Sequence, residues 1–145
     1  MPARRVRKPA EVYHHGDLRR ALIAAAAKTI AERGVDALKV SDLAAQLGVT
    51  VGAPFKHFET RLALLVAVAE EGARRMVERM DAVAARETDA LEQQRARGIA
   101  YVRFAVEEPG FFRVVTRAEV VAASPLVQQL AAGSEQTLDA VLGRH

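Results

Sequence analysis

Apolar residues recur along most of this chain at helical rather than alternating spacing. Leu18, Leu22, Ala25, Ala26 and Ile30 fall on one helical face, with Arg19, Arg20, Lys28 and Glu32 mainly outside it. This predicts a helix from Gly16 or Asp17 to Arg33, ended by Gly34, with Asp17 and Arg33 complementing the helix dipole. After a linker, Val35 to Lys39, the stretch from Leu38 to Phe58 reads as two short helices joined by a tight turn. Ala44 is small where the second helix must approach, Gly48 allows the backbone to reverse, and Val49 fills the turn from inside. Thr50 is placed to cap the second helix, which starts near Val51 or Gly52, because Pro54 is tolerated only in a first turn. Leu43, Leu47, Val49, Phe55 and Phe58 form its expected core-facing set.

The same periodicity continues behind it. Thr60 caps a predicted long helix from Arg61 to Arg86, with Leu62, Leu65, Val66, Ala69, Ala73, Met76, Val77, Met80 and Val83 as its apolar stripe. Another helix is expected from Asp89 to Glu107, before the breaker pair Pro109 and Gly110, and Phe111 and Phe112 open the next. Pro125 starts a short helix that Gly133 breaks. From Ser134 a last helix begins, with Leu138, Val141 and Leu142 on one side. The expected fold class is all-α: an N-terminal three-helix helix-turn-helix unit followed by a helical bundle.

Composition narrows the function classes. The chain has 145 residues, half of them apolar, which is enough for a real core. It has no cysteine, so disulfide and thiolate metal chemistry are excluded. No apolar run reaches the roughly 18 residues needed to span a bilayer, and the expectation is a cytoplasmic protein without membrane partners. The net charge of +3 is unevenly placed: residues 1–60 carry ten Lys/Arg against six Asp/Glu, and residues 61–145 carry eleven against twelve. The excess includes Arg4, Arg5, Arg7 and Lys8 in a Pro-flanked tail suited to phosphate.

The turn region carries the candidate chemistry. Lys39, Ser41, Asp42, Gln46, Thr50, Val51, Gly52, Ala53, Lys56 and His57 are expected to face outward, and they are small, polar or basic with one acid. Gly52 and Ala53 let a backbone approach base edges, Val51 suits a thymine methyl, and Lys56, His57 and Thr50 can donate to phosphates. Catalysis has no comparable support. His14 and His15 diverge by about 100° on a helix and lack further metal ligands, and no phosphate loop, nucleophile elbow or carboxylate pair is present. No catalytic residue, metal or cofactor is therefore assigned. Met76, Met80, Tyr101, Phe104, Phe111 and Phe112 are candidates to line a pocket for an apolar effector, with Arg103 or Arg113 as a carboxylate anchor, although such stripes are more often ordinary core.

From Tyr13 to Leu65 the chain closely resembles the TetR family of bacterial transcriptional regulators. HGDLRRAL opens the first helix, DLAAQLGVT and VGAPFKHF match the helix-turn-helix, and ETRLALL matches the following helix. The YHHGDL start, the GAPFKHF variant and AYVRFAVEEPGFFRVV resemble one branch of that family. The resemblance implies DNA contacts at Thr50, Gly52 and the aromatic-basic-His-Phe series, and a backbone contact from Arg61. It also implies a homodimer on a double-stranded DNA operator, a small-molecule effector, and a repressor released by that effector. The expected division is a flexible basic arm over 1–15, a DNA-binding domain over 16–60, and a ligand-binding and dimerisation domain over 61–145 that is short for the family. Phe55 departs from the family's tyrosine and so lacks a phosphate-reaching hydroxyl. Lys39 departs from its Ser/Thr cap, so that either the first short helix starts uncapped or Ser41 caps a shorter one. The alternative is a helical protein-interaction module or a shortened regulator acting through a partner protein, which would lack the steep salt response of groove binding.

Overall fold

The computed structural model describes residues 14–143, and its regular structure is helical throughout those residues. The arm at Arg4, Arg5 and Arg7 lies outside the described residues, as do the side chains of Leu138, Val141 and Leu142. Helix α1 (His15–Arg33) is followed by a 3-10 turn at Val35–Ala37, α2 (Val40–Leu47) and a second 3-10 turn at Pro54–Lys56. Then come α3 (Arg61–Ala84), α4 (Ala90–Glu107), α5 (Pro109–Val115), α6 (Ala118–Ala123) and α7 (Pro125–Leu142).

Helix α3 is the axis of the molecule. At 24 residues it is roughly 36 Å long, and it touches α1, α4, α5, α6 and α7. The Thr60 hydroxyl accepts the Ala63 N–H at 3.0 Å and so caps it as expected. Its buried face is broader than the predicted stripe: Leu64 and Val68 are fully buried beside Leu65, Ala69 and Ala73, whereas Leu62 is exposed. One apolar cluster joins α1 (Leu22, Ile30), α2 (Leu43), α3 (Leu64, Val68), α4 (Phe104), α5 (Val114), α6 (Val120) and α7 (Val127). The turn region and the bundle therefore share a core.

Gly34 ends α1 as expected, at a positive φ of +87° that glycine tolerates, though its ψ of 166° lies outside the left-handed helical region. Two later expectations come out differently. Gly133 does not break a helix, and α7 runs through it to Leu142. A lone glycine costs a helix only about 1 kcal/mol relative to alanine, less than the packing of Val127 and Leu130 on its inner side supplies. Pro109 starts α5 instead of merely separating it from α4, because the first turn does not need its missing N–H.

Contacts between α1 and α5 fix the turn region to the bundle. A Cβ on Gly110 would lie 1.9 Å from the Ala27 carbonyl oxygen, so only glycine permits this approach of α5 to α1. Arg113 donates to the Ile30 and Ala31 carbonyls at 2.9 and 3.1 Å, placing a cation on the C-terminal end of α1. On the far side, buried Ser124 caps α7 by accepting the Val127 N–H at 3.2 Å, and its hydroxyl donates to Glu70 of α3 at 2.9 Å.

Candidate nucleic-acid interface

The turn that organises the outward surface is built by backbone hydrogen bonds. Val49 N–H donates to the Ala44 carbonyl at 3.0 Å and Gly48 N–H to Ala45 at 3.3 Å. This pair is possible because Gly48 sits in the left-handed region at φ +69°, ψ 26°. Ala44 is fully buried under the turn, while Leu47 and Val49 pack half-buried against the core. Helix α2 starts at Val40 with Lys39 in the cap position and no side chain capping it, which decides between the two starts that the sequence left open. Asp42 in the first turn supplies the compensating charge.

The second half of the unit is a correction to the predicted helix. In place of a regular α-helix from Val51 or Gly52, the chain makes successive tight turns, with the 3-10 turn confined to Pro54–Lys56. Ala53 N–H donates to the Thr50 carbonyl at 3.1 Å, Lys56 to Ala53 at 3.3 Å, and His57 and Phe58 both to Pro54 at 3.0 Å. The Thr50 backbone carbonyl thus takes the bond expected of its hydroxyl. Pro54 lacks an N–H, so it cannot donate back to Thr50, and the α-helical ladder is missing a rung at its start.

Pro54 and Phe58 are buried and anchor this segment, with the Arg19 guanidinium 5.3 Å from the centre of the Phe58 ring. Thr50, Val51, Gly52 and Lys56 are exposed, as is Lys39 at the start of α2. Ala53 and His57 are half-buried. Phe55 is not the core residue expected of it: it is 45% exposed, and Val51 is 64% exposed. The sequence signal for this was its position beside Lys56, within a run already anchored by Pro54 and Phe58. Arg61 is exposed, but its guanidinium donates from Nε to the Leu38 carbonyl at 3.0 Å and from Nη2 to the Val35 carbonyl. Two of an arginine's five donors are thereby used inside the protein. They lock the start of α3 to the turn preceding α2.

The candidate effector residues are scattered. Phe104 and Phe111 belong to the core, Met76 packs half-buried against it, and Arg103 is exposed. Phe112 is half-buried and meets Tyr101 edge-on at 5.3 Å between ring centres. Arg113 is occupied on the end of α1. Met80 and Tyr101, by contrast, line a crevice of about 490 Å³ between α3, α4 and α7. Its other walls include Val77 of the predicted α3 stripe, and Asp81, Gln94, Arg97 and Leu130, which the sequence pattern did not single out. Among the described residues no group of His, Asp or Glu side chains is arranged to hold a metal ion, and no helix is long and apolar enough to cross a membrane.

Comparison with known proteins agrees with this geometry. Residues 22–68 match the bacterial regulatory proteins of the tetR family, a range that contains most of α1, the whole turn region and the start of α3. No curated protein matches the chain. Among solved structures, a protein of unknown function from Rhodococcus sp. RHA1 is similar at 33% identity and a TM-score of 0.69, over 89% of this chain and 66% of that one. PfmR, a TetR family transcriptional regulator from Thermus thermophilus, is similar at 28% identity and a TM-score of 0.67, over 85% and 69% respectively. The chain thus spans about two thirds of the length of these two structures.

Proposed function

This chain belongs to the tetR family of bacterial regulatory proteins, and from that premise we propose that it is a sequence-specific DNA-binding regulator of transcription. The observation that carries the reading is the exposed surface formed by Lys39, Thr50, Val51, Gly52 and Lys56 around the Gly48 turn. Small residues at 52 and 53 admit the backbone to a major groove, and the lysines reach phosphates on either side. His57 and Arg61 belong to the same proposed contact set, Arg61 through the donors it does not spend on Leu38 and Val35. The arm residues Arg4, Arg5 and Arg7 extend it through charge alone.

Two copies are proposed to act together, each placing residues 51–58 in one of two major grooves about one helical turn or a multiple apart. The division of labour follows the chain, with residues 1–15 as arm, 16–60 for DNA, and 61–145 for ligand and pairing. A small molecule held between α3, α4 and α7 would favour a spacing that no longer fits both grooves, making the protein a repressor released by its effector. The loss of DNA affinity cannot exceed the ligand's preference for that second state.

The test is a mobility-shift titration on a promoter fragment from beside the gene, at several salt concentrations. Lys56→Ala should weaken binding to all sequences alike and reduce the salt slope by about one phosphate contact. Unchanged affinity and slope would remove Lys56 from the contact set. A protein that ignores that DNA and shows no salt-dependent binding to any duplex would favour the protein-interaction reading instead.

A further inference from the structure

Helix α1 passes into α2 through residues 34–39, and the geometry of that short link decides how the turn unit is presented. Two local bonds shape it. The Gly34 N–H donates to the Ile30 carbonyl at 2.9 Å and closes α1, and the Leu38 N–H donates to the Val35 carbonyl at 3.1 Å and closes the 3-10 turn. Between them stands Gly34 at φ +87°, a backbone open mainly to glycine. Two short turns around so free a residue do not fix a direction for α2.

The same two carbonyls each accept a second hydrogen bond, from an arginine of the bundle. Arg113 of α5 donates through Nη1 to Ile30 at 2.9 Å and to Ala31 at 3.1 Å. Arg61 of α3 donates through Nη2 to Val35 and through Nε to Leu38 at 3.0 Å. The link is thus gripped on both sides of Gly34 by two different helices, and all four acceptors are main-chain oxygens. Arg117 Nη2 also comes within 3.9 Å of Asp36, but that carboxylate is 95% exposed and the pair adds little.

Arg113 completes the crossing of α1 and α5 as well. Gly110 lies against Ala27, and Arg113 reaches Ile30, three residues further along both helices. One point of contact sets a separation; two, about a turn apart, set an angle. The grip of Arg61 falls next to Lys39, which opens α2 without a side-chain cap. The end of α2 that carries a proposed phosphate contact is therefore held from the bundle.

We propose that Arg113 is a positioning residue for DNA binding: with Arg61 it holds the link in the geometry that presents α2 and the turn to the groove, and it does not touch DNA itself. The effect on affinity rests on the DNA-binding reading above, but the grip on the link does not. A displaced link still lets the lysines meet phosphates, so the loss falls on sequence-specific binding and spares binding to DNA in general.

The experiment compares Arg113→Met, which keeps the apolar stem and removes the donors, with Arg113→Lys, which keeps the charge and a donor. Mobility-shift titrations use the full chain well below its melting transition, with the promoter fragment and a random-sequence duplex at several salt concentrations. Arg113→Met is expected to weaken promoter binding about tenfold while random-duplex affinity and both salt slopes stay at the parent values, and Arg113→Lys should recover most of the loss. Without DNA, amide hydrogen exchange in Arg113→Met should quicken severalfold at Gly34, Leu38 and the start of α2, with α4 and α7 unchanged. Undiminished promoter affinity, unaltered exchange at the link, or an increase spread evenly over all the helices would each overturn the proposal. So would an equal loss on both duplexes with the salt slope reduced by about one, which would make Arg113 a phosphate contact. A parent protein that ignores the promoter while exchange at the link responds as expected supports the grip and removes the DNA-binding reading.

Discussion

Phe55 is where one side chain most changes the expected chemistry. Its aromatic character suggested core, yet Pro54 and Phe58 already anchor the segment and leave it on the outside. An exposed ring offers groove walls and thymine methyls an apolar surface, but no hydrogen bond to phosphate. Phe55→Tyr is therefore expected to tighten operator binding by about 0.5–1.5 kcal/mol, without steepening the salt dependence, since it adds a donor and no charge. Mobility-shift titrations at two salt concentrations check both halves of that statement. Ser124 shows the opposite case, a residue that drew no attention in the sequence and is fully buried in the fold. It caps α7 and donates to Glu70 at the same time, so Ser124→Ala should lower unfolding stability by about 1–2 kcal/mol in urea titrations with an unchanged m value. Thr60 was legible because a cap followed by a long apolar stripe is a local signal. Ser124 was not, because its partner is 54 residues away.

Helix boundaries divide the same way. The ends of α1 at Gly34 and of α2 at Gly48 and the start of α3 at Thr60 were readable from a glycine or a cap written within a few residues, whereas the uncapped start of α2 was left open. The segment from Thr50 to Phe58 was misjudged as a regular helix because its apolar and polar spacing fits either form, while the lost rung at Pro54 decides for tight turns. Gly133 misled for a different reason: its local cost is real, but the contacts of Val127 and Leu130 outweigh it. On α3, Glu71 accepts from Arg75 and Arg74 at 2.7 Å, and the Arg75 guanidinium lies 4.6 Å from the centre of the Phe111 ring. The hydrogen bond from Arg75 holds the Glu71 carboxyl below its ordinary value of 4.5, against a smaller opposing effect of burial. A carboxyl lowered on folding adds stability that is present above that ordinary value and is lost as pH falls through the folded one. Glu71→Gln should accordingly reduce the drop in melting temperature between neutral pH and about pH 3, with the difference between variant and parent vanishing at the acid end.

At the scale of the whole molecule, the all-α class and the place of the turn unit in front of a bundle followed from periodicity. The crevice did not, because it is assembled from three helices: Met80 and Tyr101 were visible as large side chains, whereas Gln94 and Arg97 join them only where α4 packs beside α3 and α7. Attachment between the two halves was equally hidden. Gly110 had been read as part of a breaker, but its contact with Ala27 sets how closely α5 can lie on α1. Gly110→Ala would drive a methyl into a backbone carbonyl, and its expected cost is about 3 kcal/mol or more, read as a lowered denaturation midpoint. A crossing that rests on main chain has a further consequence for how such a protein can diversify. Because Gly110 meets a carbonyl rather than a side chain, no exchange of side chain on α1 can make room for a larger residue there, and change in the rest of the bundle has to leave that one position as it is.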